Sequence, residues 1–486
     1  METTALKAAI SYESKLVRRN WLFYFFIFGV LGILSVFVPW TRDWIFWENV
    51  AFASSIPIRG IYFLNLFQSL IVIFIICDLE RKRRKVETRD VLSARPIGNR
   101  QSLLGELLGI LIPFLIVDMI FMIACVVIDM IIPDSPMNIG VNLFYLLTLM
   151  LPALVFITGL SLLVNKLFKQ PFVCWVILTA FLYFACNYGV TPLYGILNFR
   201  GSLLPSSFST LIGFVNLEDY LLQRTVFLFL GISFLCFSVL FVKRKSNTSD
   251  RKHYLIVPAS LFLVLSLVLG GVYVGKFQTR LENRMAYRET FLKYNEYPTS
   301  RVLTHDVTYR PGGEKFSATS RMSIRNQKKV KMDKLLLFLN PGLEIGKIES
   351  NGQNLPFSRD YQVILIDHPL APGGEIEYEG GIDEDIYQVN IPDNEFFSPI
   401  APYAQKENYG RRKAFVSSGF TLLVPEVMWY PMTVPPVELQ AAKEINFTDY
   451  TLHVKNPGEM TVLSQGTPTR EGDNITFNNL QNLTGL

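Results

Sequence analysis

Residues 78–109 read DLERKRRKVETRDVLSARPIGNRQSLLGELLG, a strongly basic stretch between two long apolar runs. Arg81, Lys82, Arg83, Arg84, Lys85, Arg89, Arg95 and Arg100 crowd into what reads as one short loop. Lysines and arginines beside membrane-spanning helices are retained on the cytoplasmic side, so the stretch orients the chain. The rest of the sequence is consistent with a membrane protein: 50% of its 486 residues are hydrophobic, 18% are charged and the mean hydropathy is +0.29. That is too apolar for an ordinary soluble chain of this length.

Apolar runs of spanning length predict seven transmembrane helices, at Trp21–Pro39, Ile56–Cys77, Leu103–Ile128, Leu143–Val164, Phe172–Val190, Thr225–Val242 and Tyr254–Gly275. Trp21–Pro39 is bulky and lacks a small-residue cleavage site, which predicts an uncleaved first span. ISYESKLVRRNW ahead of it predicts a short interfacial helix whose basic side chains reach lipid headgroups. With the amino terminus inside, the cytoplasmic segments also carry Lys7, Lys15, Arg18, Arg19, Lys166, Lys169, Lys243, Arg244, Lys245, Arg251 and Lys252. The outer loops carry Arg42, Arg59, Arg200 and Arg224. This asymmetry predicts a cytoplasmic amino terminus and an extracytoplasmic carboxyl-terminal region. The apolar segment TPLYGILNFRGSLLPSSFSTLIGFVNLEDY, before the sixth span, is expected to dip into the outer interface as short helices.

The composition changes near Phe277. A charged helix is expected over about 277–299, and beyond it short β-type runs, KLLLFLN, PGLEIGKIES, NGQNLPF, YQVILID, PGGEIEYEGG, FTDYTLHV and NITFNN, alternate with turn signals. Asn351-Gly352 and Pro372-Gly373-Gly374 are hairpin-like. The predicted architecture is therefore an α-helical membrane domain of seven spans plus a carboxyl-terminal, all-β, sandwich-like extracytoplasmic domain.

The search for chemistry returns mostly exclusions. Gly270–Lys276, GGVYVGK, imitates a P-loop, but Phe277 replaces the magnesium-binding hydroxyl and the run ends a span. No H-E-x-x-H or G-x-S-x-G motif occurs. The five cysteines sit in apolar runs and the four histidines are scattered, so no metal site, cofactor or catalytic residue is assigned. The basic residues point to anionic lipid headgroups, not nucleic acid. Inside the spans, Asp118 is a candidate for a pathway or inter-helix role, since a carboxylate at that depth is costly. Asp129, on the same face, is expected to emerge at the outer interface. Asn65 and Gln68 share a face of the second span and read as helix-packing contacts. Pro113 and Pro152 predict kinks.

Two family resemblances cover different parts. Residues 1 to about 245 resemble one half of a type-2 ABC transporter permease, in YESKLVRRNW before the first span, in VLSARPIGNRQSLLGELLG leading into the third, and in the long outer segment before the sixth. The resemblance implies a cytoplasmic ATPase subunit docked on Val91–Gln101, with Arg95, Pro96, Asn99 and Arg100 in the docking segment, and a second permease half in a homo- or heterodimer. The implied location is the bacterial inner membrane. A seventh span, within 246–276, is extra to that family and would deliver the carboxyl-terminal domain outside. Residues from about 300 to 486 resemble the amino-terminal β domain of aminopeptidase N family zinc peptidases, in LLLFLNPGLEIGKIESNGQNLPFSRDYQVILIDHPLAPGGEIEYEGGID, VPEVMWYP and FTDYTLHVKNPGEMTVLSQGTPTREGDNITF. The G-x-M-E-N and zinc motifs of that family's catalytic domain do not occur, so no peptidase residue carries over. The expectation is a non-enzymatic permease subunit. The alternatives are a membrane-anchored front portion of a zinc aminopeptidase, or a sensing or scaffold protein whose β domain binds a partner through an edge strand.

Overall fold

The computed structural model describes residues 2–37, 55–84, 99–131, 137–168, 170–187, 192–202, 208–209, 213–214, 216–241, 256–328, 331–369, 374–382, 415–416, 418–434 and 447–483. Packing divides the chain into two units, Met1–Phe277 and Gln278–Leu486.

The first unit is helical: α1 (Glu2–Arg18), α2 (Trp21–Gly32), α3 (Ser55–Arg83), α4 (Asn99–Ile131), α5 (Ile139–Leu167), α6 (Pro171–Asn187), α7 (Leu217–Leu240) and the start of α8 (Ile256–Tyr294). Among the described residues five helices, α3, α4, α5, α7 and α8, are long and apolar enough to cross a membrane. Leu6–Arg18 and Trp21–Ser35 add a sixth if taken together, although the chain bends by 69° between them. Among the described residues the predicted span at Phe172–Val190 corresponds to α6, an apolar helix of 17 residues, and seven full spans are not found. Large apolar side chains point outward along α4 (Ile116, Met119, Ile120, Ile123, Val127) and α8 (Val257, Leu261, Val264, Leu267, Val268). Such continuous apolar surface suits a hydrocarbon environment.

The bend between α1 and α2 follows from Asn20. Its backbone is extended and its side chain accepts the Leu22 amide hydrogen at 3.1 Å, an N-cap that starts a new helix. α1, expected as a short interfacial helix, lies along α4. A Cβ on Gly105 would sit 2.5 Å from Ala9 Cβ, and one on Gly109 would collide with Glu13 Cβ. Small residues four apart let two helix backbones approach closely where lipid supplies no hydrophobic drive.

Several expectations are corrected. The helix of the second predicted span continues past Cys77 through Arg83, so Arg81, Lys82 and Arg83 are helical and not in a loop. Asn99 and Arg100 open α4. Arg224 is not an outer-loop charge but a buried residue of α7, donating to the carbonyls of Phe199 (2.6 Å) and Asn198 (3.1 Å). Among its described residues the apolar segment before α7 forms a 3-10 turn, Pro192–Gly195, and a small hairpin, β1 (Phe208–Ser209) with β2 (Gly213–Phe214), where short helices were expected. Asp129, in the last turn of α4, is packed within the helical unit at 2% exposed. Pro113 lies inside continuous α4, whereas Pro152 stands two residues after the end of a π-helical turn, Leu146–Met150, within α5. A proline lacks the N–H that would bond four residues back, and the widened turn accommodates that loss.

The second unit begins with the end of α8, which is not a free charged linker: Tyr287 and Tyr294 are buried in the β core, and Gln362 Nε2 donates to the Tyr287 carbonyl at 2.7 Å. Strands β3 (Arg301–Gly312), β4 (Lys315–Arg325), β5 (Leu335–Phe338), β6 (Leu343–Ser350), β7 (Gln353–Asn354), β8 (Phe357–Asp360), β9 (Val363–Ile366), β10 (Gly374–Gly380), β11 (Phe415–Val416), β12 (Thr421–Leu422), β13 (Phe447–Lys455), β14 (Thr467–Glu471) and β15 (Asn474–Leu483) follow. Eight of them form one sheet in the order β14-β15-β13-β3-β4-β10-β6-β7, and β5-β9-β8 form a second. The large sheet is mixed, because β13 pairs parallel to β3, and both sheets contribute to one hydrophobic cluster. The VPEVMWYP segment closes that cluster: Val427, Met428, Trp429 and Tyr430 are buried, and Asn340 Nδ2 donates to the Val427 carbonyl at 2.8 Å. Each predicted β run contains a strand, and Asn351-Gly352 has the positive φ values of a tight hairpin turn. The central hairpin β3–β4 and strand β14 had no counterpart in the sequence reading.

His305 on β3 is 2% exposed, bonds Ser320 Oγ at 2.5 Å and meets the rings of Tyr430 and Tyr450 edge-on. Burial pushes its pKa down to about 3. The unfolded chain takes up the proton below about pH 6.5 and the folded one does not. Stability is therefore complete above that pH and falls by about 1.4 kcal/mol per pH unit toward pH 3. In the full chain in detergent, H305Q should flatten the acid loss of hydrogen-exchange protection at β3 and β4; an unaltered acid slope would contradict this. G109V should cost about 1–3 kcal/mol by overpacking and raise hydrogen exchange in α1. Unchanged exchange there would mean that α1 does not depend on the close approach.

Candidate functional site

The end of α3 holds together the ends of four other helices. Asp78 accepts a hydrogen bond from Asn20 Nδ2 at 3.1 Å, tying α3 to the N-cap of α2, and also binds Lys82 (2.6 Å) and Arg81 (3.1 Å). One turn on, Arg83 reaches three carboxylates: Glu80 on its own helix (2.9 Å), Glu106 on α4 and Glu13 on α1. Lys166, in the last turn of α5, binds Glu80 at 2.7 Å and lies 3.8 Å from Glu106. Arg84 donates to the Asn165 carbonyl near the α5 terminus, where a cation also meets the negative end of the helix dipole. The side chains of Glu80 and Arg83 are 5% and 15% exposed, so these pairs are partly desolvated. The positions follow helix geometry: Glu80 and Arg83, three apart, share a face, as do Asp78 and Lys82, four apart.

The sequence-based candidates divide around this cluster. Val91, Arg95 and Pro96 lie outside the described residues, and Asn99 and Arg100 open α4. The Arg83–Glu106 pair joins α3 and α4, which precede and follow Val91, Arg95 and Pro96 in sequence. Glu13, Glu80, Glu106 and Lys166 were missed by sequence reasoning. The available signal was acidic residues placed inside basic, span-flanking segments, as in SYESK, DLERKR and LLGELLG.

Deeper in the unit, Gln68 Nε2 donates to Asp118 Oδ1 at 2.7 Å, with the residues 1% and 0% exposed. These two candidates are thus brought together. Asn65 is not part of that contact: its amide donates to the Leu149 carbonyl at 3.4 Å, inside the π-helical turn of α5. Among the described residues no group of His, Cys, Asp and Glu has an arrangement that could hold a metal ion.

Removing the Arg83 guanidinium would leave three neighbouring carboxylates with Lys166 alone. R83L should therefore destabilise the helical unit by about 3–5 kcal/mol, the range for breaking a buried pair from one side, and R83K by less. Thermal melting of the detergent-solubilised chain checks this, and an R83L melt equal to wild type would contradict it.

No family model and no curated protein matches the chain. Among solved structures it is similar to an M1 zinc metallopeptidase from Deinococcus radiodurans, at 15% identity and a TM-score of 0.27 over 38% of this chain and 39% of that one. It is also similar to yeast LTA4 hydrolase, at 11% identity and 0.23 over 38% and 27%. Legionella pneumophila aminopeptidase A matches at 12% identity and 0.27 over 38% and 20%. The match thus spans about two fifths or less of the length of these peptidases.

Proposed function

We propose that the chain is a permease subunit of an ABC transporter of the bacterial inner membrane, moving its substrate by conformational alternation driven by a separate cytoplasmic ATPase. The observation that carries this reading is the Arg83 cluster. It clamps α1, α3, α4 and α5 together, joining the helix that precedes Val91, Arg95 and Pro96 in sequence to α4, which Asn99 and Arg100 open. A force delivered to these residues by an ATPase would enter four helices at once, which is what a transmission element requires. The basic side chains would face the cytoplasm and the anionic headgroups there.

One such half is completed by a second copy or a partner half. α8 would carry the β unit to the other side of the membrane, where it serves as a binding module. Reversing the charges in R95E/R100E should release the ATPase into the soluble fraction and abolish stimulated ATP hydrolysis, without lowering the melting temperature of the helical unit. ATPase that stays bound to this variant would contradict the docking assignment.

A further inference from the structure

We propose that Asp118 is a proton-binding site: in the packing of α3 against α4 its carboxyl is the neutral acid, with Oδ1 as the carbonyl oxygen that takes the Gln68 amide and Oδ2 as the hydroxyl. The inference does not rest on the transporter reading. Asp118 is completely buried, and its Oδ2 has no hydrogen-bond partner among the described residues. Its one bonded neighbour, Gln68, is a neutral amide, which cannot compensate a full negative charge.

Among the described residues no cation pairs with it. On α3 the charged residues Asp78, Glu80, Arg81, Lys82 and Arg83 are gathered at the far cluster, and Arg59 stands near the opposite end, about 14 Å of helix rise from Gln68. On α1, Glu13 belongs to the cluster, and Lys7, Lys15, Arg18 and Tyr12 share that helix, which packs along Gly105 and Gly109. Lys166 of α5 is bound to Glu80. The other titratable side chains on these helices include Tyr62 on α3, Tyr24 on α2 and Tyr145 on α5, none of them a cation. Along α4 itself, Glu106 lies about 18 Å of helix rise in one direction, and Cys125 and Asp129 follow in the other. All of these neighbours on α4 would make an ionised Asp118 less favourable or leave it unaffected.

A buried ion with one neutral donor costs far more than a neutral acid with one idle hydroxyl. The neutral acid keeps α3 and α4 in contact. A rearrangement that parts them and admits water allows the proton to leave, so proton occupancy and the α3–α4 contact are linked. The proton is the ligand, and the Gln68–Asp118 contact is the element it stabilises.

Infrared spectra of the full chain in lipid at neutral pH test this. Wild type minus D118N should show a carboxylic-acid C=O stretch, and in Q68L that band should move to higher wavenumber because Oδ1 loses its hydrogen bond. A difference confined to carboxylate bands would overturn the proposal. Should D118N fail to fold, the comparison of wild type with Q68L decides alone: a shifted acid band supports the assignment, and an unchanged acid region overturns it.

Discussion

One guanidinium shared among three carboxylates is the constraint on which the helical unit depends. Arg83 meets Glu13, Glu80 and Glu106, and Lys166 closes the group from a further helix. Hydrocarbon gives apolar helices little reason to prefer one another over lipid, so their arrangement must come from polar contacts and close backbone packing. The chain uses both: ion pairs at the α3 end, the Gln68–Asp118 bond midway, and glycines where backbones touch. α8 carries its own anchor at the start of α7, where Lys276 binds Glu218 at 2.7 Å and Asp219 at 3.1 Å. At that same end Gln223 and Arg224 hold the carbonyls of Gly195, Asn198 and Phe199, fixing the turn region to α7.

The polar cluster and the basic segment are one device seen at two levels. A stretch rich in like charges repels itself, and its stems would separate without local compensation. Glu80 and Glu106 supply that compensation on the flanking helices, and Glu13 extends it to α1. Residues that look like scattered acids in the sequence are therefore what makes a strongly basic segment compatible with tightly packed helix ends.

Hydropathy made the apolar helices legible because the signal is summed over about twenty residues. Their ends were less visible. Asp78, Glu80, Arg81, Lys82 and Arg83 read as a polar loop, yet their charges are satisfied by neighbours on the same and adjacent helices, so α3 continues through them. Arg224 misled for a similar reason: backbone carbonyls distant in sequence take hydrogen bonds from both of its terminal nitrogens. In the β unit the runs rich in branched residues were readable, while the central hairpin was not. Its inward positions on β4 include Ala318 and Ser320, and His305 faces inward on β3, so the alternation is chemically faint. The Gln68–Asp118 contact was legible only as two unusual residues, since nothing local to either identifies the other.

Native mass spectrometry of the intact chain, extracted from its own membranes in mild detergent, tests the central claim most directly. The account predicts two permease halves carrying a stoichiometric subunit with a Walker A sequence, bound through the segment around Arg95 and Arg100. A chain recovered without any such ATPase, as part of a larger polypeptide that continues into a zinc peptidase, would contradict it.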